Sequence, residues 1–223
     1  MKAIILSAGR GERLRPLTDL TPKPLLKAGN QRLIEYTIYS LVKAGFTDII
    51  INTAHLNEQF PEALGDGKRY GATIQYTVEQ SGGLETAGGI INALPLLGDE
   101  PFLVVNGDIW TDFPFEQLNS FKLNHSTLGH LIFVQNPKHN PDGDFSLSSG
   151  LVTDNGLEKV TYSGIAIYHP KLFLSYGVQR LALKPILIEA INKQQLSGEL
   201  YHGKWSDIGT AERLAELAME LRN

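Results

Sequence analysis

Short apolar segments recur along the chain, and each one ends at a polar residue or a glycine. Lys2–Ser7, Asp48–Asn52 and Phe102–Asn106 are examples, and their length suits buried strands better than helices. Amphipathic segments such as Arg32–Ala44, which ends just before Gly45, lie between them and have the period of a helix. Strands that are apolar throughout and alternate with helices form parallel sheets that are covered on both faces. The sequence therefore predicts an α/β fold, a single Rossmann-like three-layer domain around a central, mostly parallel sheet.

The remaining segments extend this pattern towards the C-terminus. We expect strands at Thr73–Val78, Gly129–Val134 and Gly164–Tyr168, and helices at Phe60–Leu64, Leu84–Leu94, Phe115–Leu123, Pro185–Asn192 and Thr210–Leu221. Residues from about 124 to about 163 differ, because they are rich in asparagine, proline, serine and glycine with short apolar runs between. They predict a small β-rich insertion that lies over the sheet. Since the sequence has no repeat and no linker, we expect one domain that covers residues 1–223, with two halves that meet at about residue 110.

Composition limits the classes of partner. The 223 residues include 20 Lys and Arg, 24 Asp and Glu and no cysteine, and the formal net charge is −4. A disulfide scaffold, a thiolate metal site and a cysteine nucleophile are excluded, and the charge gives no reason to expect nucleic acid or a membrane as a partner. The N-terminal apolar run spans only Ala3–Leu6, too short for a secretory signal, and no run reaches the roughly 18 residues of a membrane span. We therefore expect a cytoplasmic protein.

The loop after the first apolar segment combines glycines with cations. Ligands of open α/β sheets bind beyond the carboxyl ends of the strands, and Gly9 and Gly11 would let backbone N–H groups approach a phosphate there. A dinucleotide fingerprint would need a glycine at Leu14, and the P-loop pattern is absent. Two glycines alone are equally typical of an ordinary surface turn. The cations of this loop favour a triphosphate site instead: Arg10, Arg13, Arg15 and Lys23.

Several motifs together resemble one enzyme family, the sugar-1-phosphate nucleotidylyltransferases. The pattern G-x-G-x-R-L-x-P-L-T…P-K-P-L at residues 9–25 resembles the opening of these enzymes. The segments L-E-T-A-G-G at 84–89, N-G-D at 106–108 and W-S-D-I-G-T at 205–210 are similar to later motifs of the family. Glu85 is a departure, because common members have glycine there. The matches are spread over almost the whole chain.

The resemblance implies a reaction and a set of site residues. A sugar 1-phosphate would attack the α-phosphorus of a nucleoside triphosphate in line, with Mg²⁺ bound and pyrophosphate leaving, so that no nucleophilic side chain is needed. The family motifs assign catalysis to Arg13, Lys23 and Asp108, and Mg²⁺ to Asp108 and Asp207. Residues 1 to about 110 become the nucleotide-binding half, with contacts from Ala8, Gly9, Gly11, Glu12, Arg13, Gln80, Gly83 and Thr86. Residues from about 111 form most of the sugar-binding half, and the expected sugar contacts are Asn106, Gly143, Glu158 and Ser163.

Two of these assignments have an ordinary structural alternative. A single aspartate in a turn is usually a turn former, but two of them beside strand ends, next to a phosphate loop, fit the one or two carboxylates that Mg²⁺ takes from proteins. Glu158 lies in a polar loop, where a carboxylate is often simply solvated.

The identity of the sugar depends on the resemblance alone. The runs G-L-E-T-A-G-G-I and N-P-x-H-x-x-x-G-D-F are most similar to family members that transfer UMP from UTP to N-acetylmuramate 1-phosphate in peptidoglycan recycling. Mannose-1-phosphate guanylyltransferases, other hexose or heptose enzymes and a non-catalytic nucleotide-sugar sensor stay as alternatives. A sugar with a carboxylate would need a cation, for which Lys138 and His139 are candidates. Short termini favour a monomer that binds only small molecules.

Overall fold

The computed structural model describes residues 1–79 and 83–221. Its strands are β1 (Ala3–Leu6), β2 (Lys27–Ala28), β3 (Gln31–Arg32), β4 (Asp48–Thr53), β5 (Thr73–Val78), β6 (Phe102–Asn106), β7 (Ile109–Thr111), β8 (Gly129–Val134), β9 (Ser146–Ser148), β10 (Leu151–Thr153), β11 (Thr161–Tyr168), β12 (Leu196–Tyr201) and β13 (Trp205–Asp207). Its α-helices are α1 (Leu17–Leu20), α2 (Leu33–Lys43), α3 (Gln59–Leu64), α4 (Glu85–Leu97), α5 (Glu116–Asn119), α6 (Leu183–Asn192) and α7 (Ala211–Glu220). None of the helices within the described ranges is long and apolar enough to cross a membrane.

Nine of the strands form one central sheet in the order β5-β4-β1-β6-β11-β8-β12-β10-β9. The first four are parallel, β11 is antiparallel to both of its neighbours, and β12 is parallel to β8. Because β10 is antiparallel to β12 and to β9, only β11 and β10 run against the direction of the other strands. The prediction of an α/β fold with a mostly parallel sheet is confirmed.

The central strands send alternate side chains into two apolar layers. Ala3 and Ile5 of β1 pack in the layer that holds α2 and α3, and Ile4 between them packs in the layer that holds α4 and α6. The same alternation holds for β6, where Leu103 and Val104 belong to opposite layers. Each fully buried aliphatic side chain stabilises the fold by roughly 1.5–3 kcal/mol relative to an exposed one. The three-layer arrangement thus follows from strands that are apolar on both faces.

We expected the turn-rich segment between residues 124 and 163 to lie over the sheet. It extends the sheet instead. All six residues of β8 are buried, and this strand pairs with β11 on one side and β12 on the other. The hairpin of β9 and β10 then forms the far edge. A run that is apolar on both faces, like β8, is stable only between neighbouring strands and under both helical layers.

Two predicted helix ends are wrong. α4 continues through Pro95 to Leu97, because a proline in the last turn removes only one hydrogen bond and the N–H of Gly98 still donates to the carbonyl of Leu94 at 2.9 Å. α5 is a single turn that ends at Asn119 and does not reach Leu123. The chain leaves this helix early, and the ring of Phe121 stacks against that of His130, with 4.2 Å between the centroids.

His130 is a buried histidine at the centre of the sheet. It is 5% exposed, its Nδ1 lies 2.9 Å from the hydroxyl of Ser197, and its Nε2 has no hydrogen-bond partner in the described part of the chain. The Glu199 carboxylate lies 4.0 Å from Nε2, too far for a hydrogen bond. Burial lowers the pKa of His130 from 6.5 to about 4, because the charged imidazolium loses its water.

This histidine makes the stability of the fold depend on pH. Above pH 6.5 the ring is neutral in both states, but as the pH falls towards about 4 the unfolded chain binds a proton that the folded chain refuses. We expect the Tm of the wild type to fall more between about pH 7 and about pH 4.5 than that of His130→Phe, which keeps the stacking on Phe121. Thermal melts across this pH range test the prediction, and a variant of an exposed histidine, His125→Gln, is the control. If Tm depends on pH equally in the wild type and in His130→Phe, the buried histidine is not the cause.

Candidate active site

A cleft of about 590 Å³ opens at the carboxyl ends of β1, β4 and β6. The last residues of β1 and β6, Leu6 and Asn106, belong to its wall together with Asn52 near the end of β4. The rest of the wall comes from loops and from the start of α4: Ser7, Ala8, Gly9, Arg10, Gly11, Glu12, Arg13, Lys23, Pro24, Glu79, Gly83, Glu85, Thr86, Asp108, Arg180 and Gly209. This is the edge of an open α/β sheet at which ligands bind.

The loop after β1 has a fixed shape that depends on Gly11. This residue is in the left-handed region, with φ 65° and ψ 33°, and a Cβ there would lie 2.9 Å from Cγ2 of Thr18. Its carbonyl accepts hydrogen bonds from the Thr18 hydroxyl at 2.9 Å and from the N–H of buried Leu14 at 2.8 Å. Only glycine fits both the conformation and the space. The loop therefore holds Arg13 at the cleft.

Lys23 and Asp108 form an ion pair inside the cleft. The short turn Lys23–Leu25 buries Lys23, and its ammonium lies 2.5 Å from Oδ2 of Asp108, which follows β6. A buried ammonium needs such a partner, because desolvation of an unpaired charge costs several kcal/mol. Arg15, in contrast, is outside the cleft wall and pairs with Asp19 at 3.1 Å, so one of the four cations of the loop does not reach the site.

The structure brings Asp108 and Asp207 to neighbouring positions. β7 and β13 form a small antiparallel sheet in which Asp207 lies opposite Ile109, and the N–H of Ile208 donates to the carbonyl of Asp108 at 2.7 Å. Oδ1 of Asp207 lies 2.5 Å from the Arg213 guanidinium and 2.8 Å from Nε2 of His139. Both carboxylates are thus balanced by cations or by a histidine of the same chain.

This pair of carboxylates suits Mg²⁺ better than a metal that needs a full set of protein ligands. Within residues 1–79 and 83–221, no group of three or more His, Cys, Asp or Glu side chains is placed to hold a metal. Mg²⁺ takes one or two carboxylates and completes its shell with water and phosphate oxygens. Asp108 and Asp207 meet that number and are neighbours along the backbone, but Asp108 alone of the two belongs to the cleft wall.

A buried carboxylate that the sequence analysis missed, Glu79, ties the floor of the cleft together. The N–H of Ser7 donates to Oδ1 of Asn52 at 2.7 Å, and Nδ2 of Asn52 donates to Glu79 at 2.6 Å. The other oxygen of Glu79 accepts from the N–H of Leu84 at 2.6 Å. Burial raises the pKa of Glu79, while these two donors lower it. The available signal was two polar residues, Asn52 and Glu79, near the ends of two predicted strands.

Most of the residues expected at the nucleotide lie in the cleft wall, and most of those expected at the sugar do not. Asn106 is the sugar residue that reaches the wall, whereas Gly143 and the exposed Glu158 lie outside it. Gln80 lies outside the described residues. Arg180 and Gly209 line the cleft and were not predicted.

Ser163 does not fit the role of a sugar ligand that we expected for it. Its side chain is buried at the β-bulge of β11, where the hydroxyl donates to the carbonyl of Ile132 at 2.7 Å and accepts from the N–H of Ile165 at 3.2 Å. Its carbonyl accepts from the indole of Trp205 at 2.9 Å. Both hydroxyl bonds hold the bulge, so Ser163 is a structural residue.

Comparison with known proteins identifies the family of the chain. A family profile described as nucleotidyl transferase matches residues 2–145. The chain is 50% identical, over 97% of its own length and 96% of the relative's, to an N-acetylmuramate alpha-1-phosphate uridylyltransferase of Neisseria meningitidis serogroup B. It is 33% identical over 94% of its length to a mannose-1-phosphate guanyltransferase of Gibberella zeae, of which it spans 61%.

Solved structures show the same fold at low sequence identity. The inositol-1-phosphate CTP transferase from T. maritima superposes with a TM-score of 0.80 at 17% identity, over 100% of this chain and 96% of that one. Since the profile covers more than half of the chain and the Neisseria relative aligns with nearly all of it, the chain belongs to the nucleotidyl transferase family, as its glycine- and arginine-containing loop predicted.

Proposed function

We propose that the chain transfers UMP from UTP to N-acetylmuramate 1-phosphate, giving UDP-N-acetylmuramate and pyrophosphate. The observation that carries the proposal is the 50% identity along almost the full length of the Neisseria uridylyltransferase. The motif residues Arg13, Lys23 and Asp108 in one cleft support it, because they offer two cations for phosphates and one carboxylate for a metal ion. A nucleotide-sugar sensor would have no need to keep them together.

A guanylyltransferase that acts on mannose 1-phosphate is the second candidate. Its support is weaker, since the Gibberella enzyme is 33% identical and the chain spans only 61% of it. The proposed reaction consumes UTP and yields a peptidoglycan precursor, so we propose a cytoplasmic role in peptidoglycan recycling.

The bond changes of this reaction define what the cleft has to do. An oxygen of the sugar phosphate attacks the α-phosphorus of UTP, the bond from that phosphorus to the bridging oxygen breaks, and pyrophosphate leaves with the electron pair. No covalent enzyme intermediate forms, so the work is positioning and charge neutralisation. Arg13 would bind the β- and γ-phosphates through its planar guanidinium, and the N–H groups of Ala8, Gly9 and Gly11 would contact the nucleotide.

Lys23 would bring the two anionic reactants together. Its ammonium, held by Asp108 at 2.5 Å, would lie between the sugar phosphate and the α-phosphate and reduce their repulsion. Asp108 and Asp207 would hold Mg²⁺, which supplies further neutralisation of the phosphate charge when bound. Glu12, Gly83 and Thr86 would contact the nucleotide, and Asn106, Gly143 and Glu158 the sugar.

The choice of substrates is the first test of the proposal. We expect pyrophosphate release with Mg²⁺, UTP and N-acetylmuramate 1-phosphate to show a higher kcat/KM than the pairs mannose 1-phosphate with GTP or glucose 1-phosphate with UTP. A higher kcat/KM for the mannose pair would favour the second candidate. No turnover with any pair would support the sensor.

Removal of the Asp108 carboxylate tests the proposed metal and lysine contacts. We expect Asp108→Asn to lower kcat at least about 100-fold, because a charged ligand close to the reacting phosphates is lost. The Tm should fall as well, because the buried Lys23 ammonium loses its counter-charge, so kcat is compared at a temperature at which both proteins are folded. The control is Asp99→Asn on the exposed surface. Near-normal turnover of Asp108→Asn would contradict the assignment.

Two arginines of the same loop offer a matched test of the triphosphate site. Arg13 lines the cleft, whereas Arg15 lies two residues further on and is paired with Asp19 outside it. We expect Arg13→Ala to lower kcat by roughly two or three orders of magnitude, because it removes a contact to the leaving group. Arg15→Ala should leave kcat within about two-fold of the wild type. Equal losses in steady-state assays of the two variants would move the triphosphate elsewhere.

A further inference from the structure

Four Lys and Arg side chains line the cleft in the described part of the chain. One of them, Arg180, comes from a different part of the chain than the other three. Arg10, Arg13 and Lys23 come from the loop after β1 and belong to the nucleotide-binding half. Arg180 comes from the segment that precedes α6, in the half that we expect to bind the sugar. The proposed phosphate contacts use Arg13 and Lys23, and Arg10 lies beside them in the same loop, whereas Arg180 has no role in those contacts.

Arg180 is oriented by Glu85 across the edge of the cleft. Its Nε donates to Oε1 of Glu85 at 2.9 Å, and these two residues are 95 positions apart in the sequence. Both line the cleft. Because the bond uses Nε, the terminal nitrogens of the guanidinium keep the fork geometry that binds a carboxylate through two hydrogen bonds.

The stability of the fold does not explain this ion pair. Glu85 has φ 58°, in the left-handed region where a residue with a Cβ is strained and where the resemblance leads us to expect glycine. The side chains of Arg180 and Glu85 are 71% and 41% exposed, and exposed ion pairs add little to stability. A strained residue kept for a weak surface contact beside a cleft is typical of a functional position.

The backbone near Arg180 is held without the ion pair. The carbonyl of Leu181 accepts from the N–H groups of Ala87 and Gly88 at 3.0 and 3.1 Å, and the N–H of Leu181 donates to the carbonyl of Leu84 at 2.8 Å. A Cβ at Gly88 would collide with the carbonyl of Gln179. Loss of the Glu85 side chain would therefore free the Arg180 side chain while the wall of the cleft stays in place.

We propose that Arg180, oriented by Glu85, binds the carboxylate of the sugar substrate and makes the enzyme select sugar 1-phosphates that carry a carboxylate over neutral ones. This inference rests on the proposed function, since the lactyl ether of N-acetylmuramate supplies the carboxylate. N-acetylglucosamine 1-phosphate is the matched sugar without a carboxylate, because it differs from N-acetylmuramate 1-phosphate only in lacking the lactyl ether.

The two cationic candidates of the sequence analysis have less support. His139 lies 2.8 Å from Asp207 and contacts Arg213, so it is part of the cluster around a proposed metal ligand. Lys138 is outside the cleft wall. Arg180 lines the cleft directly.

The experiment measures kcat and KM with UTP and each of the two sugars. For Arg180→Met we expect kcat/KM to fall at least about ten-fold with N-acetylmuramate 1-phosphate, mostly through KM, and to stay within about two-fold with N-acetylglucosamine 1-phosphate. Arg180→Lys should keep part of the preference. Lys171→Met is the control, since it removes an exposed cation from the same half of the chain. Calorimetric titration with the two UDP-sugars should give the same order of affinities.

Glu85→Gly separates a role in selectivity from a purely structural one. We expect this variant to keep or raise the Tm, because the strain at residue 85 is relieved, and yet to lose part of the selectivity. A lower Tm with equal losses for both sugars would mean that the pair only supports the loop and would overturn the inference.

The remaining outcomes distinguish this inference from the proposed function. A wild type that prefers N-acetylmuramate 1-phosphate, together with an Arg180→Met variant that keeps this preference, would overturn the inference alone. A loss of preference in Arg213→Met and not in Arg180→Met would overturn it by moving the carboxylate to the cluster of Asp207. A wild type that neither turns over nor binds the muramate compounds would end the proposed function and this inference together.

Discussion

The hydrogen bonds of the buried Glu79 carboxylate hold the cleft in shape. They connect the end of β1, through Ser7 and Asn52, with the end of β5 and the start of α4. Burial raises the pKa of this carboxyl group, and its donors, which satisfy both oxygens, offset only part of that effect. A Cβ at Gly89 would lie 2.5 Å from one of these oxygens. One glycine of the L-E-T-A-G-G motif is therefore required by packing below the site, and the loop after β1 and the start of α4 are attached to this floor.

Contacts between acidic and basic side chains lie inside the cleft and beside it. Lys23 is buried against Asp108, and Asp207 is held between Arg213 and His139. A chain that gathers several cations in one cleft must limit their repulsion, and carboxylates within reach do so at short range. The two residues of the Lys23–Asp108 pair depend on each other, since either charge alone would be left uncompensated in a half-buried site. The proposed metal and phosphate ligands thus also stabilise one another.

The sequence was informative where the structure is local. The loop of Gly11 and Arg13 was predictable because spacing over a few residues sets its shape, and β1, β4 and β6 were predictable because they are apolar on both faces. Contacts between residues far apart in the chain were not predictable in this way. β7 and β13 are three-residue strands that exist only through their pairing, and Ser163 is buried because a bulge turns its hydroxyl towards Ile132. Likewise, no local pattern shows that His139 meets Asp207, 68 positions away.

At Glu85 the local backbone preference and the proposed role in substrate selection favour different residues. A backbone with φ 58° favours glycine, and the chain keeps a charged residue there although α4 would begin as well without it. The strain persists because the backbone bonds between Leu84, Ala87, Gly88 and Leu181 fix the start of α4 from both sides. A rigid scaffold of this kind tolerates an unfavourable residue at its edge. Departures from the family motif that cost stability in this way are therefore the positions at which related enzymes are expected to differ in substrate.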